Sequence, residues 1–167
     1  MPAGGLRAEV ERKLKEALGT YDVVLARVSK ERYPERMLAI TGAALRACRS
    51  VGYVSLSRPA ETIIGQLESA GTSTKGLAVS TPPADDFLRV GLAVDKCLDE
   101  GRRCLVVDSV STLMLYRKPI EVLQFVHNLI ARIQSKGAKC VLVVLKGDVH
   151  EQYLDQLVMY TDIAVEC

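Results

Sequence analysis

The sequence lacks an excess of either charge: 22 basic residues stand against 20 acidic ones, a formal net charge of +2. A field that weak supports neither nucleic acid nor an anionic membrane surface as a partner. There is no C-x-x-C pair, and the five cysteines, Cys48, Cys97, Cys104, Cys140 and Cys167, are odd in number. That pattern fits reduced thiols in a cytoplasmic protein better than a disulfide framework. Most of them lie in apolar segments and read as small core residues. No apolar run reaches membrane-spanning length, and the opening MPAGGLRAEVERKLKEAL scatters charges through its apolar residues, unlike a signal peptide. Low-complexity linkers are absent too, so the 167 residues read as one domain, 1–167.

What is present is an alternation of strand-like and helix-like segments. Residues 5–18 place Leu6, Val10, Leu14 and Ala17 at helical spacing among charged residues, which predicts an amphipathic helix ending at Gly19 and offers a docking element for a partner. The β-branched run 22–29 predicts a strand, KERYPE a polar loop, and 36–49 a helix. The same reading gives a strand at 51–57, a helix from Pro59 to Gly71, a strand at 76–81 and a helix over 84–101. Then follow a strand at 103–109, a helix from Pro119 to Gly137, a strand at 138–145, a helix over 149–160 and a short last strand from Asp162. Strands separated by helices imply crossover connections: a doubly wound α/β fold with a mainly parallel sheet of about six strands and helices on both faces.

Ligands of such sheets bind beyond the carboxyl ends of the strands, at 29–36, 56–61, 80–86 and 108–119. In the last of these, CLVVDSVSTLMLY runs an apolar strand into Asp108, followed by Ser109. An acid at a strand tip can hold the Mg²⁺ of a nucleotide, but it more often caps a turn or a helix. Ser109 and Ser111 lack the G-x-S-x-G setting of a hydrolase nucleophile. His150 with Asp148 and Glu151 has a metal-corner composition at a spacing more typical of solvated residues, and His127 has no partner ligand one helical turn away. GTSTKG, 71–76, has phosphate-loop residue types but joins a helix to a strand, the reverse of the order that such a loop needs.

LVVDSVSTL resembles the Walker B segment of RecA/KaiC-like P-loop ATPases, and GYVSLSRPAETIIGQLESAG the strand and helix that follow their P-loop helix. The closing GAKCVLVVLKGDVHEQYLDQLVMYTDIAVEC is similar to that family's last elements, with Asp162 in the terminal strand. The resemblance implies a sheet whose first strand is central, with one strand between it and the strand bearing Asp108. It also implies side-by-side assembly, with a second copy or a related ATPase as the partner and a homo-oligomer as one outcome.

Two departures from the family stand out. A working member has G-x-x-x-x-G-K-[ST] after the first strand, because glycines let backbone N–H groups reach the phosphates. Here the loop is SKERYPER, which has no glycine; Pro34 removes an N–H and Glu35 sets a negative charge at the helix N-terminus, where a phosphate would bind. The family's catalytic glutamate falls at Ser57 and Arg58, with Glu61 a turn later, so no aligned general base is evident. The expectation is a degenerate, non-catalytic domain without a cofactor, acting in regulation or protein interaction, with Asp108 a vestigial Mg²⁺ position. The alternatives are a Mg-ATP site built from Lys30, Arg32, Arg36, Asp108 and Ser109 with slow ATPase activity, or an unrelated small-ligand crevice lined by Ser57, Thr81 and Asp108.

Overall fold

The computed structural model describes residues 3–167; residues 1 and 2 of the expected domain lie outside them. In chain order the elements are α1 (Ala3–Thr20), β1 (Val23–Val28), α2 (Tyr33–Cys48), β2 (Val51–Ser55), α3 (Ala60–Ser69), β3 (Leu77–Ser80), α4 (Phe87–Asp99), β4 (Cys104–Asp108), α5 (Val110–Tyr116), α6 (Pro119–Ser135), β5 (Lys139–Leu145), α7 (Glu151–Tyr160) and β6 (Ile163–Glu166). All six strands are parallel, in the order β3-β2-β4-β5-β1-β6. β1 is an interior strand one place in from the edge, and β5 separates it from β4. That is the separation implied for a RecA-type sheet.

The strand sequences explain the layering. β2 and β4 are buried at every position, as near-continuous apolar runs in a sheet covered on both faces should be. Strand alternation then divides the core in two. Val23, Leu25, Leu105, Val107, Leu142 and Val144 face one layer with the apolar stripes of α4, α6 and α7. Val24, Ala26, Tyr53, Val106, Val141 and Val143 face the other, under α1, α2 and α3. Helix α6 follows the expected stripe, with Val122, Leu123, Val126, Leu129, Ile130 and Ile133 all buried.

Three features differ from the sequence reading. Helix α2 starts at Tyr33 instead of 36, because Pro34 lies in its first turn, where a missing N–H leaves no hydrogen bond unmade. Arg32 precedes it with φ 55. The junction 108–119 contains a helix, α5, too short to display periodicity and capped by the Ser109 hydroxyl, which accepts from Thr112 N–H at 3.2 Å. Helix α1 extends over the expected segment but is no free docking element: Val10, Leu14, Ala17 and Leu18 are buried against α2 and β6.

Gly76 is fixed by both its backbone conformation and a close approach. Gly76, leading into β3, has φ 85, and a Cβ there would sit 2.1 Å from the Arg49 carbonyl oxygen. Gly76→Ala should cost about 2–4 kcal/mol, from backbone strain and the clash together. Gly65 in α3 has nothing within 4 Å of an added Cβ, so Gly65→Ala should stabilise by about 0.5–1 kcal/mol through helix propensity. Urea unfolding of both variants checks the contrast in sign.

Candidate functional site

The carboxyl ends of β2 and β4 lie side by side, with Ser55 paired to Asp108. Asp108 falls on the same sheet face as Cys104 and Val106, because successive residues alternate, and that face is roofed by α2 and α3. The Asp108 side chain is 0% exposed. An ionised carboxylate so placed needs hydrogen bonds and a countercharge to offset its lost hydration.

Both are supplied from within the chain. The Tyr33 hydroxyl, from the first residue of α2, donates to Oδ1. The Tyr53 hydroxyl, from β2, does the same to Oδ2. The Arg58 guanidinium follows β2 and places Nη2 3.4 Å from Asp108 Oδ2 and 3.2 Å from Tyr53 Oη. Its Nη1 donates to Gln66 Oε1 of α3 at 2.8 Å, and its Cζ lies over the Tyr33 ring, 5.1 Å from the ring centre. The Asp108–Ser109 peptide is cis.

The charges act on one another. Burial pushes the Tyr33 phenol well above its ordinary value, and the Asp108 charge and hydrogen bond push it further. Tyr53 is raised in the same way by burial, by Asp108 and by Tyr33. Burial works against the Arg58 charge, but Tyr53, Tyr33 and Asp108 outweigh it and hold the guanidinium above its usual value. At neutral pH the cluster therefore contains two phenols and a guanidinium. Between α2 and α3, beside Arg58, Thr41 and Gln66, the free space is about 10 Å³, roughly one water.

The loop cations lie elsewhere. Lys30 pairs with Asp148, Arg32 with Glu35 at 2.7 Å, and Arg36 Nε donates to the Glu31 carbonyl at 2.8 Å. Ser109, besides capping α5, shares a 2.9 Å hydrogen bond with Thr112. Ser57, Glu61 and Thr81 are exposed, whereas the Asp108 carboxylate is buried. His150 lies before α7, its ring edge-on to Tyr153, and His127 stacks at a tilt on Tyr160. Among the described residues no three His, Cys, Asp or Glu side chains are grouped to hold a metal ion.

Sequence reasoning reached Asp108 and the position of Arg58 but missed Tyr33 and Tyr53. A signal for Tyr53 existed. A tyrosine in the middle of a fully apolar strand must find its hydroxyl a buried partner, and an acid two pairs along the neighbouring strand is within reach. Tyr33 gave none, because it stood in a segment read as polar loop.

Removing one member of this cluster should be costly. Arg58→Met leaves a buried carboxylate without its countercharge and should lose about 3–5 kcal/mol in urea unfolding. Adding Asp108→Asn should restore part of that loss, giving a coupling of about 1–3 kcal/mol in a double-mutant cycle. The raised phenols add a pH signature. A group whose folded pKa lies above its unfolded one contributes stability that is complete below the unfolded value, near 10 for a phenol, and is lost as pH climbs toward the folded value. Stability should therefore decline above about pH 10, and the decline should be shallower in Tyr53→Phe.

No protein-family model and no curated protein matches the chain. Solved structures do. A KaiC-like protein from the hyperthermophilic archaeon Pyrococcus horikoshii OT3 superposes with a TM-score of 0.66 at 14% identity, over 87% of this chain and 71% of that one. The flagellar accessory protein FlaH from Methanocaldococcus jannaschii gives 0.62 at 13% identity, over 92% and 75%. An uncharacterized protein from Pyrococcus horikoshii, solved in complex with an unknown peptide, gives 0.66 at 15%, over 93% and 82%. At these identities the likeness is one of fold, and the fold of this chain is that of the RecA/KaiC-like proteins.

Proposed function

We propose that this chain is a non-catalytic RecA/KaiC-like domain that works through protein contacts, and that Asp108 serves it as a structural clamp. The observation carrying this reading is the occupancy of Asp108: both carboxylate oxygens accept phenol hydroxyls, Arg58 stands beside one of them, and no part of the side chain meets solvent.

The residues present do not fit Mg-ATP. A metal at this position needs a carboxylate oxygen turned outward, and a nucleotide needs backbone N–H groups free to meet phosphates at the helix N-terminus. In this chain the loop before α2 has no glycine, Pro34 occupies the first turn of α2, and Glu35 brings its own negative charge to that turn. The basic side chains of the loop are engaged with Asp148, Glu35 and a carbonyl.

Protein contact has a surface available. Leu88 and Leu92 of α4, Leu115 and Tyr116 of α5 and Ile120 of α6 are large apolar side chains left exposed. The ends of these helices adjoin, since Arg117 donates to the Asp85 carbonyl at 3.1 Å and lies over the Phe87 ring. A neighbour of the same fold was solved with a peptide bound. The partner we assign is a second copy or a related ATPase.

Titration calorimetry with millimolar Mg-ATP tests the reading. No saturable heat is expected from the wild type. Saturable heat that disappears in Asp108→Ala, or in Lys30→Ala combined with Arg36→Ala should the first variant not fold, would overturn it and make the basic loop a phosphate site.

A further inference from the structure

At the end of the sheet opposite Asp108, the turns that lead into β4 and β5 run side by side. Cys104 pairs with Lys139 at the start of the two strands, and the Lys139 N–H donates to the Arg103 carbonyl at 2.9 Å. Helices α4 and α6 end just before these turns, which pass through Gly101 and Gly137 with φ 78 and 67. The pairing sets residues 101–103 beside 136–138, and a crevice of about 410 Å³ lies there. The buried Leu98 and Ala138 give it an apolar wall.

Every ionisable side chain lining this crevice is a cation: Arg102, Arg103 and Lys136. The crevices beside α7, along β6 and between α2 and α3 each include a glutamate. The Arg102 guanidinium is held in place, its Nη1 donating to the Gly76 carbonyl at 3.0 Å. Its acid, Glu100, stands 3.8 Å from Nη2, and the Lys136 ammonium is 3.9 Å from Asp99, both beyond hydrogen-bonding distance. Neither acid lines the crevice. The exposed Arg103 side chain forms no hydrogen bond or ion pair among the described residues. A helix dipole by itself favours cations at a C-terminus, which accounts for Lys136 at the end of α6. That effect fades within the last turn, and Arg103, directly before β4, lies beyond it.

We propose that this crevice binds a phosphorylated small molecule, whose phosphate dianion is held by Arg102, Arg103 and Lys136. Planar guanidinium groups match phosphate oxygens with paired N–H donors, and three positive charges suit a dianion better than a single carboxylate. The volume is that of a small-molecule site and leaves room for the esterified group along Leu98 and Ala138. Backbone donors of the two turns are already engaged. The N–H of Gly101 goes to the Leu98 carbonyl, that of Arg102 to Cys97, that of Arg103 to Ser50, that of Gly137 to Gln134 and that of Ala138 to Ile133. Side chains alone therefore hold the anion, the reverse of a glycine-rich phosphate loop. The site is independent of the clamp at Asp108, which closes the other end of β4.

Backbone amide NMR of the full chain, titrated with phenyl phosphate, tests this. Saturable shifts are expected over 98–103 and 136–139, with an affinity that falls as sodium chloride is added, because exposed charges are screened by salt. Arg103→Ala combined with Lys136→Ala should weaken binding by about tenfold or more. Both side chains are exposed, so the fold should survive, and the same amide spectrum verifies it. Benzoate, a monoanion with the same ring, should bind more weakly than phenyl phosphate. The absence of saturable shifts, an affinity unchanged in the double variant, or benzoate binding as tightly would overturn the proposal while leaving the non-catalytic reading intact. Shifts centred on 29–36 would overturn both, since the phosphate would then sit on the loop before α2.

Discussion

A fully buried carboxylate cannot be left alone, and the architecture around Asp108 follows from that. Its charge requires Arg58, and Arg58, itself taken largely out of water, requires Gln66 and the Tyr53 hydroxyl in turn. Tyr33 completes the set and lays its ring beneath the guanidinium. Each of these groups belongs to a different part of the chain: β4, the segment after β2, α3, β2 and the start of α2. One ion pair with its hydrogen bonds thus fixes where two strands end and where two helices sit at the same edge of the sheet. Arg58 Nε is buried with no hydrogen-bond partner among the described residues.

The alternation of β4 gives this edge its counterpart at the other end. Cys104, Val106 and Asp108 share one face, so the same strand presents a thiol, an apolar residue and a carboxylate to the α1–α3 layer. The opposite face, Leu105 and Val107, meets only apolar stripes of α4, α6 and α7. The polar side chains of β4 are therefore all on one face. On that side Tyr33, the first residue of α2, meets Asp108.

Most of the fold was legible because its signals are local. A buried parallel strand is an apolar run, and the helices here begin near Pro59 and Pro119 and stop near Gly71, Gly101 and Gly137. The misreadings have local causes as well. Pro34 lies in KERYPE, which reads as a polar loop, although the first turn of a helix is where proline is tolerated, and α5 spans too few residues to show a period. The site was legible only in part. Asp108 announces itself as an acid closing an apolar strand, and of the loop cations Arg32 finds its partner three residues away, in Glu35. The contact of Tyr33 with Asp108 crosses from α2 to β4, and no spacing within a segment encodes a contact made through space.

Whether an aspartate at a strand tip serves as a metal ligand or as a clamp is decided by competition for its lone pairs. A carboxylate has about four such sites. Here two are taken by phenol hydroxyls, and the negative charge is already matched by Arg58. Mg²⁺ gives up its waters reluctantly and takes one or two protein carboxylates together with substrate phosphates, so a single aspartate offers it little. To enter, it would also have to separate Arg58 from Asp108, leaving a guanidinium buried without its anion, a cost of several kcal/mol, roughly 3–5. Without a glycine loop to hold phosphates there is no second source of binding energy to offset that cost. The balance therefore favours the internal cation, Arg58, over Mg²⁺ at this carboxylate.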